Sequence, residues 1–355
     1  MITEQLDCID SLVAPHDVAR SEQLRAPRAK IAASTQAVYD TLFGAQVESR
    51  ERALRFAIAS AVARANGPET VSRFYAGQGA PGHVPNDALD GALGAWVEIA
   101  STAPRLAGRE RLAAVEAAGI SQREIVTIGQ LIGFVAFQAR VVAGLLALSG
   151  QPTQGTKPLP EITHDPRFTA HKLDWLAWLA PLPLEAATPD QLAVLDESGP
   201  TARESPYYLT LVQDPEVLRR RSETYNAVMY APGGLPRAER ELAALVVSII
   251  NGCHYCASVH ADRLTQLSKR PELCEWIFED PFNAKLSARE RAIATFAARL
   301  TSAPEQLGAD DLAPLREHGM TDAQLLDLIH VVAIFAWANR LMLTLGEPDF
   351  SCAAS

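Results

Sequence analysis

The chain is short of positive charge, short of cysteine and without a long unbroken apolar run, and each shortage removes a class of function. Lys and Arg number 32 against 42 Asp and Glu, for a net charge of −10. Such a field repels phosphate backbones, so no nucleic-acid partner is expected. The five cysteines, Cys8, Cys253, Cys256, Cys274 and Cys352, form an odd, scattered set rather than a disulfide framework. That usage fits a reducing compartment with one functional pair, leaving Cys8, Cys274 and Cys352 as bystanders. The opening residues, Met-Ile-Thr-Glu-Gln-Leu-Asp-Cys, lack the basic and apolar regions of a secretory leader. The longest apolar stretch, Leu131 to Leu148, is interrupted by Gln138 and Arg140. A mid-span arginine is costly in a bilayer and tolerable in a helix packed inside a soluble protein. A cytoplasmic chain with no membrane partner is therefore expected.

What the sequence does contain is helical pattern and chemistry concentrated in one place. At 355 residues, two domains are the prior. Punctuation rich in Pro and Gly falls at Gly79–Pro85 and again from Gln151 to Pro166, the second being the better linker. Ser121-Gln-Arg-Glu124, Ser287-Ala-Arg-Glu290 and Thr321-Asp-Ala-Gln324 have capping-box form before apolar-periodic runs. No series of alternating strand segments appears, so the expected fold is all-α.

The two halves repeat. Gly119-Ile-Ser-Gln-Arg-Glu…Ala-Arg140 parallels Gly319-Met-Thr-Asp-Ala-Gln…Asn-Arg340, offset by 200 residues. Upstream, the run ending Asn66-Gly67 parallels the run ending Asn251-Gly252, offset by 185. On this register Glu241, Cys253, Cys256 and His260 face Phe56, Pro68, Val71 and Tyr75. The first copy keeps the apolar frame and lacks the chemistry. The expected division is 1–160 as a degenerate helical domain and 161–355 as the active one. Arg140 and Arg340 recur in both copies, which suggests a shared structural salt bridge or cap.

The chemistry lies in Glu241…Asn251-Gly252-Cys253-His254-Tyr255-Cys256…His260. Cys256 and His260 are i,i+4 and share a helix face. Cys253 and Cys256 are i,i+3 and can join in a disulfide after a small adjustment. On one straight helix Glu241 would lie about 18 Å along the axis from Cys253, so only a fold-back at Asn251-Gly252 lets it approach His260. At a helix start Cys253 would feel the N-terminal dipole, which favours its thiolate. His260 would accept a proton from Cys256, and Glu241 would fix the imidazole tautomer.

This block resembles the alkyl hydroperoxidase D / carboxymuconolactone decarboxylase-like family, in its peroxidase-related members. The resemblance rests on Arg-Glu241-Leu-Ala…Asn-Gly-Cys253-x-Tyr-Cys256-x-x-x-His260, Leu286-Ser-Ala-Arg-Glu-Arg-Ala and Asp327-Leu-Ile-His330…Asn339-Arg340. It covers roughly Phe168 to Pro348; the first half joins it only through the internal repeat. It implies two AhpD-like helical bundle repeats and a homo-oligomer, a trimer or a dimer here. It further implies thiol-dependent reduction of alkyl hydroperoxides. Cys256 would attack the peroxide, Cys253 would resolve and exchange with an external dithiol protein or small thiol, and His260 and Glu241 would relay protons. No cofactor or metal is implied. The best-studied type has a histidine before the second cysteine, where this chain has Tyr255, with His254 one earlier. Tyr255 is left to join the relay or to pack, and His254 reads as a surface or interface residue.

Several plainer readings stand beside this one. The cysteines and His260 could hold zinc with Glu241 or water as fourth ligand, or the cysteines could be buried and inert. The same pair could serve a thiol–disulfide oxidoreductase or a redox-sensing oligomeric scaffold. His330, whose counterpart is Gln130, reads as a satisfied polar group on a core helix. Arg219 to Arg221 reads as a solvated helix face.

Overall fold

Helix starts are written into this chain as reciprocal hydrogen bonds. In the computed structural model all three expected capping boxes form, at Ser121/Glu124, Ser287/Glu290 and Thr321/Gln324. A fourth, Thr188/Gln191, opens another helix. Each satisfies backbone N–H groups that a helix N-terminus leaves unpaired. The structure describes residues 6–13, 17–78, 89–155, 158–283 and 285–351. Cys352, the opening pentapeptide and the whole Gly79–Pro85 break lie outside them.

The first half contributes α1 (Val18–Arg25), α2 (Ala29–Phe43), α3 (Ser49–Asn66), α4 (Glu69–Gln78), α5 (Gly91–Thr102), α6 (Arg109–Ala117) and α7 (Gln122–Leu148). The second contributes β1 (Asp174–Ala177), α8 (Pro189–Ser198), α9 (Pro206–Leu211), α10 (Pro215–Met229), α11 (Arg237–Ile250), α12 (His254–Ser268), α13 (Pro271–Glu279), α14 (Ala288–Ser302), α15 (Ala313–Glu317), α16 (Asp322–Thr344) and β2 (Gly346–Asp349). Helices α2 to α7 recur in order as α10, α11, α12, α14, α15 and α16. Helix α13 lies in the stretch over which the sequence offset moves from 185 to 200. The fold is all-α, built of two helical repeats.

The repeats join along α7 and α16. By length and composition either helix is apolar enough to cross a bilayer, yet both are buried within the protein. They cross antiparallel, and glycine sets how closely. A Cβ on Gly133 would lie 1.9 Å from Cδ1 of Trp337, and one on Gly144 would lie 2.5 Å from Cγ2 of Ile329. The large side chains of α16 thus fill notches in α7. Trp337 also donates through Nε1 to Gln130 Oε1 at 2.9 Å. Apolar side chains from Cys8 to Leu345 form one continuous core through both repeats.

One departure from the expected all-helical pattern is a two-stranded antiparallel ribbon, β1 with β2, pairing Asp174 with Asp349 through to Ala177 with Gly346. Trp175 packs over Gly346 and donates to Met342 O at 3.0 Å. The ribbon holds the segment before it against α12, where Leu173 N–H donates to Ser258 Oγ. Among its described residues the stretch from Gln151 to Pro166 is without helix, as its prolines and glycines dictate, but it is not a free tether. Its Gln154 N–H donates to Gln306 O, and its Gln151 carbonyl accepts from Ala309 N–H.

Candidate functional site

The site is made by the break between α11 and α12. Helix α11 ends at Ile250, Asn251 caps it, and Gly252 takes φ +72°, a left-handed value costly for any residue with a Cβ. The chain reverses there, and the Cys253 N–H bonds back to Ser248 O at 2.8 Å. Helix α12 then runs back along α11, bringing His260 to Glu241. His260 Nδ1 lies 2.6 Å from Glu241 Oε2. Glu241 has no solvent exposure, and its second oxygen accepts from Arg237, one turn earlier, at 2.6 Å. Burial pulls the Glu241 carboxyl upward, but the His260 hydrogen bond and the charges of His260 and Arg237 hold it below the ordinary range. The carboxylate is thus charged, fixing Nδ1 as the protonated nitrogen and leaving Nε2 as acceptor. Phe335 sets its ring edge against His260, with centroids 4.4 Å apart.

Both cysteines are free thiols, Cys253 at 1% exposure and Cys256 at 4%. Cys256 is one turn before His260 on α12. Cys253 is the residue that caps α12, as expected, but the expected thiolate preference is overturned. Burial, reinforced by the Cys256 thiol beside it, pushes the Cys253 thiol well up, against the opposing pull of the Asn339 amide. The helix terminus is outweighed because desolvation acts on the whole charge and the dipole only on a fraction of one. Asn339 is held by Asn251 and Ser248, at 2.9 and 3.2 Å. Cys8 and Cys274 are buried away from the pair; the Cys274 thiol donates to Ala261 O.

Tyr255 stands next to both thiols; burial first, then Cys256, pushes its phenol up. Its hydroxyl makes no hydrogen bond among the described residues, so its ring packs. His254 is half-buried and lines the cleft between the repeats. Its Nε2 lies 2.9 Å from Asp165 Oδ2, its ring stacks on Phe168 at 4.4 Å, and burial draws its pKa down. Among the described residues no three His, Cys, Asp or Glu side chains are arranged to hold a metal. Of the residues weighed for zinc, Glu241 is taken up by His260 and Arg237.

Residues 215–275, spanning α10 to the start of α13, match the family model described as the carboxymuconolactone decarboxylase family. The chain is 31% identical to an uncharacterized peroxidase-related protein from Ralstonia eutropha JMP134, whose structure is described as an alkylhydroperoxidase AhpD core. That match covers 48% of this chain and 91% of that one, with a TM-score of 0.42. The chain belongs to the AhpD-like carboxymuconolactone decarboxylase family. A second match, an uncharacterized peroxidase-related protein from Silicibacter sp. TM1040, is 28% identical over 55% of this chain and 96% of that one, with a TM-score of 0.39. No curated protein matches the chain.

Around this AhpD-like motif the structure gathers groups the sequence did not announce. Arg237 carries the one legible signal, an i,i+4 spacing to Glu241. Arg221 is not on a solvated face. It is 4% exposed and lies over Tyr207 and Tyr225, at 5.6 and 5.7 Å from the ring centroids. Arg219 and Arg220 do form surface ion pairs, with Glu216 among their partners. His330 is buried, but its Nδ1 has no hydrogen-bond partner, so it is not the satisfied polar group expected. Burial draws its pKa down to about 4. Arg140 and Arg340 form no salt bridge among the described residues. They cap: Arg140 donates to Thr301 O at 2.7 Å and Arg340 to Ser101 O at 2.8 Å, each at the helix end of the other repeat.

Proposed function

We propose that this AhpD-like chain reduces hydroperoxides through Cys253 and Cys256, with His260 and Glu241 as the proton relay. The observation that carries the reading is the buried His260–Glu241 hydrogen bond, 2.6 Å long and one helical turn from Cys256. Nε2 of His260 takes the Cys256 proton, and the thiolate attacks the terminal peroxide oxygen. The O–O bond breaks, the alkoxide leaves with the proton from His260, and Cys256 becomes a sulfenic acid. The Cys253 thiol then attacks that sulfur. Its proton leaves with the hydroxyl as water, and the Cys253–Cys256 disulfide forms. Two thiols of an external reductant restore the pair and are themselves oxidised to a disulfide.

Burial of both sulfurs favours a small oxidant over a protein disulfide, which must bring its own backbone to the sulfur. In this reading the second repeat, 161–355, carries the chemistry and the first, 1–160, supports it. The chain works in the cytoplasm as a trimer or dimer; sedimentation finding only monomer at micromolar concentration would refute that part. The test of the chemistry is stopped-flow oxidation of the reduced protein by hydrogen peroxide and an organic hydroperoxide, with mass spectrometry of the products. The expected result is a rapid Cys253–Cys256 disulfide, absent in Cys256→Ser and slower by about 10²-fold or more in His260→Ala. Oxidation no faster than that of free cysteine would overturn the proposal.

A further inference from the structure

A cleft of about 930 Å³ opens where the two repeats meet, and Arg140 and Arg340 form part of its lining. They are 3% and 4% exposed. Both donate to one acceptor, Asn66 Oδ1, at 3.4 and 2.6 Å, so the two guanidinium groups are neighbours. Each also caps a carbonyl of the other repeat and bonds one carbonyl of its own helix, Ala136 or Ala336. That accounts for three bonds apiece from five N–H groups, and in both residues Nε has no partner. Neither forms an ion pair among the described residues. The charge of Glu305 acts on Arg140 through space. The cost is visible: burial draws Arg140 down to about 10 and draws Arg340 well below its ordinary value, the latter pressed also by the charge of Arg140.

Capping two carbonyls does not need two positive charges, since a glutamine amide donates as well. Paired buried guanidinium groups with unused N–H groups are suited to an anion, because Arg binds a carboxylate through two parallel bonds. The other walls limit which anion. Phe168, Trp178, Ile162 and Leu106 supply apolar and aromatic surface. Arg105 and Arg167 line the cleft together with Glu161, Asp165, Glu305 and Glu347, and Asp165 pairs with Arg167, so with the buried pair counted the positive and negative side chains are balanced in number. A single charge on an apolar body fits both constraints.

We propose that the cleft between the repeats binds an organic monocarboxylate with an apolar or aromatic body, its carboxylate held between Arg140 and Arg340. Asn251, Gly252 and His254 line the same cleft, so the guest lies against the turn that delivers Cys253. The site stands on the buried arginine pair and not on the peroxidase reading, and the test is binding to the whole chain.

The test is calorimetric titration with 4-phenylbutyrate and, as the uncharged match, 4-phenylbutan-1-ol. Saturable binding of the acid at least about tenfold tighter than the alcohol is expected, since only the acid engages the arginines. Arg340→Gln, melted first to establish folding, should lose that preference. Leu106→Glu is the safeguard: Leu106 is 57% exposed, so the fold survives, and a carboxylate there should weaken acid binding by about tenfold. Absent or unsaturable binding, equal affinity for acid and alcohol, or full affinity in Leu106→Glu would each overturn the proposal.

Discussion

Replacing Glu241 by glutamine removes one charge from the centre of the site and changes almost no volume. Glu241 accepts from His260 at 2.6 Å and from Arg237 at 2.6 and 2.5 Å, with no solvent exposure of its own. Hydrogen bonds to a charged group contribute about 1.5–3 kcal/mol each. Glutamine keeps an acceptor for one of the two partners, and Arg237, at 25% side-chain exposure, partly rehydrates. The expected destabilisation is therefore about 2 kcal/mol, read by urea unfolding. Since the carboxyl is held below its ordinary value of 4.5, its contribution is fully present above that pH and is lost as pH falls below it. Kinetically, His260 loses the carboxylate that orients it and stabilises its protonated form, and peroxide oxidation of Cys256 should slow by about 10- to 100-fold. A folded Glu241→Gln protein reacting within about twofold of the parent rate would refute the relay.

Two further outcomes follow from groups remote from the dithiol. His330 titrates near 6.5 when unfolded but only at about 4 in the buried site, so the unfolded chain binds the extra proton between those values. Stability should fall by up to about 3 kcal/mol as pH drops from 7.5 to 4, and His330→Gln, which installs the residue of the first repeat, should flatten that part of the profile in thermal melts. In the joint between repeats, Gly133→Ala drives a methyl against Trp337 and breaks its bond to Gln130, for an expected loss of about 2–3 kcal/mol by urea unfolding; an unchanged midpoint would show that α16 slides freely past α7.

The parts of the fold legible in the sequence were those set by local chemistry. The capping boxes at Ser121, Ser287 and Thr321 need only four residues each, and the apolar continuity of α7 and α16 is visible without partners. The chain reversal at Asn251-Gly252 was legible too, since the pair both stops a helix and permits a positive φ. The β1–β2 ribbon was not, because each strand is four residues long and its partner lies more than 150 residues away. The same limit hid the environment of His254, whose Asp165 and Phe168 come from the segment before the ribbon. The acidity of Cys253 was misjudged for a different reason. A helix start can be read from spacing, whereas burial depends on what the rest of the chain lays over it. His330 makes the same point: its spacing marked a core position, and nothing local showed that Nδ1 would be left without a partner.

The crossed caps have a consequence for how this duplication can change. Arg140 ends a helix of the second copy, and Arg340 ends a helix of the first. A copy without reactive groups would ordinarily be free to drift or to be deleted. Here it is not, because losing it would strip α14 of its cap and leave Arg340 reaching for a carbonyl that no longer exists. The first copy is therefore retained as a matter of architecture, and the two have become inseparable.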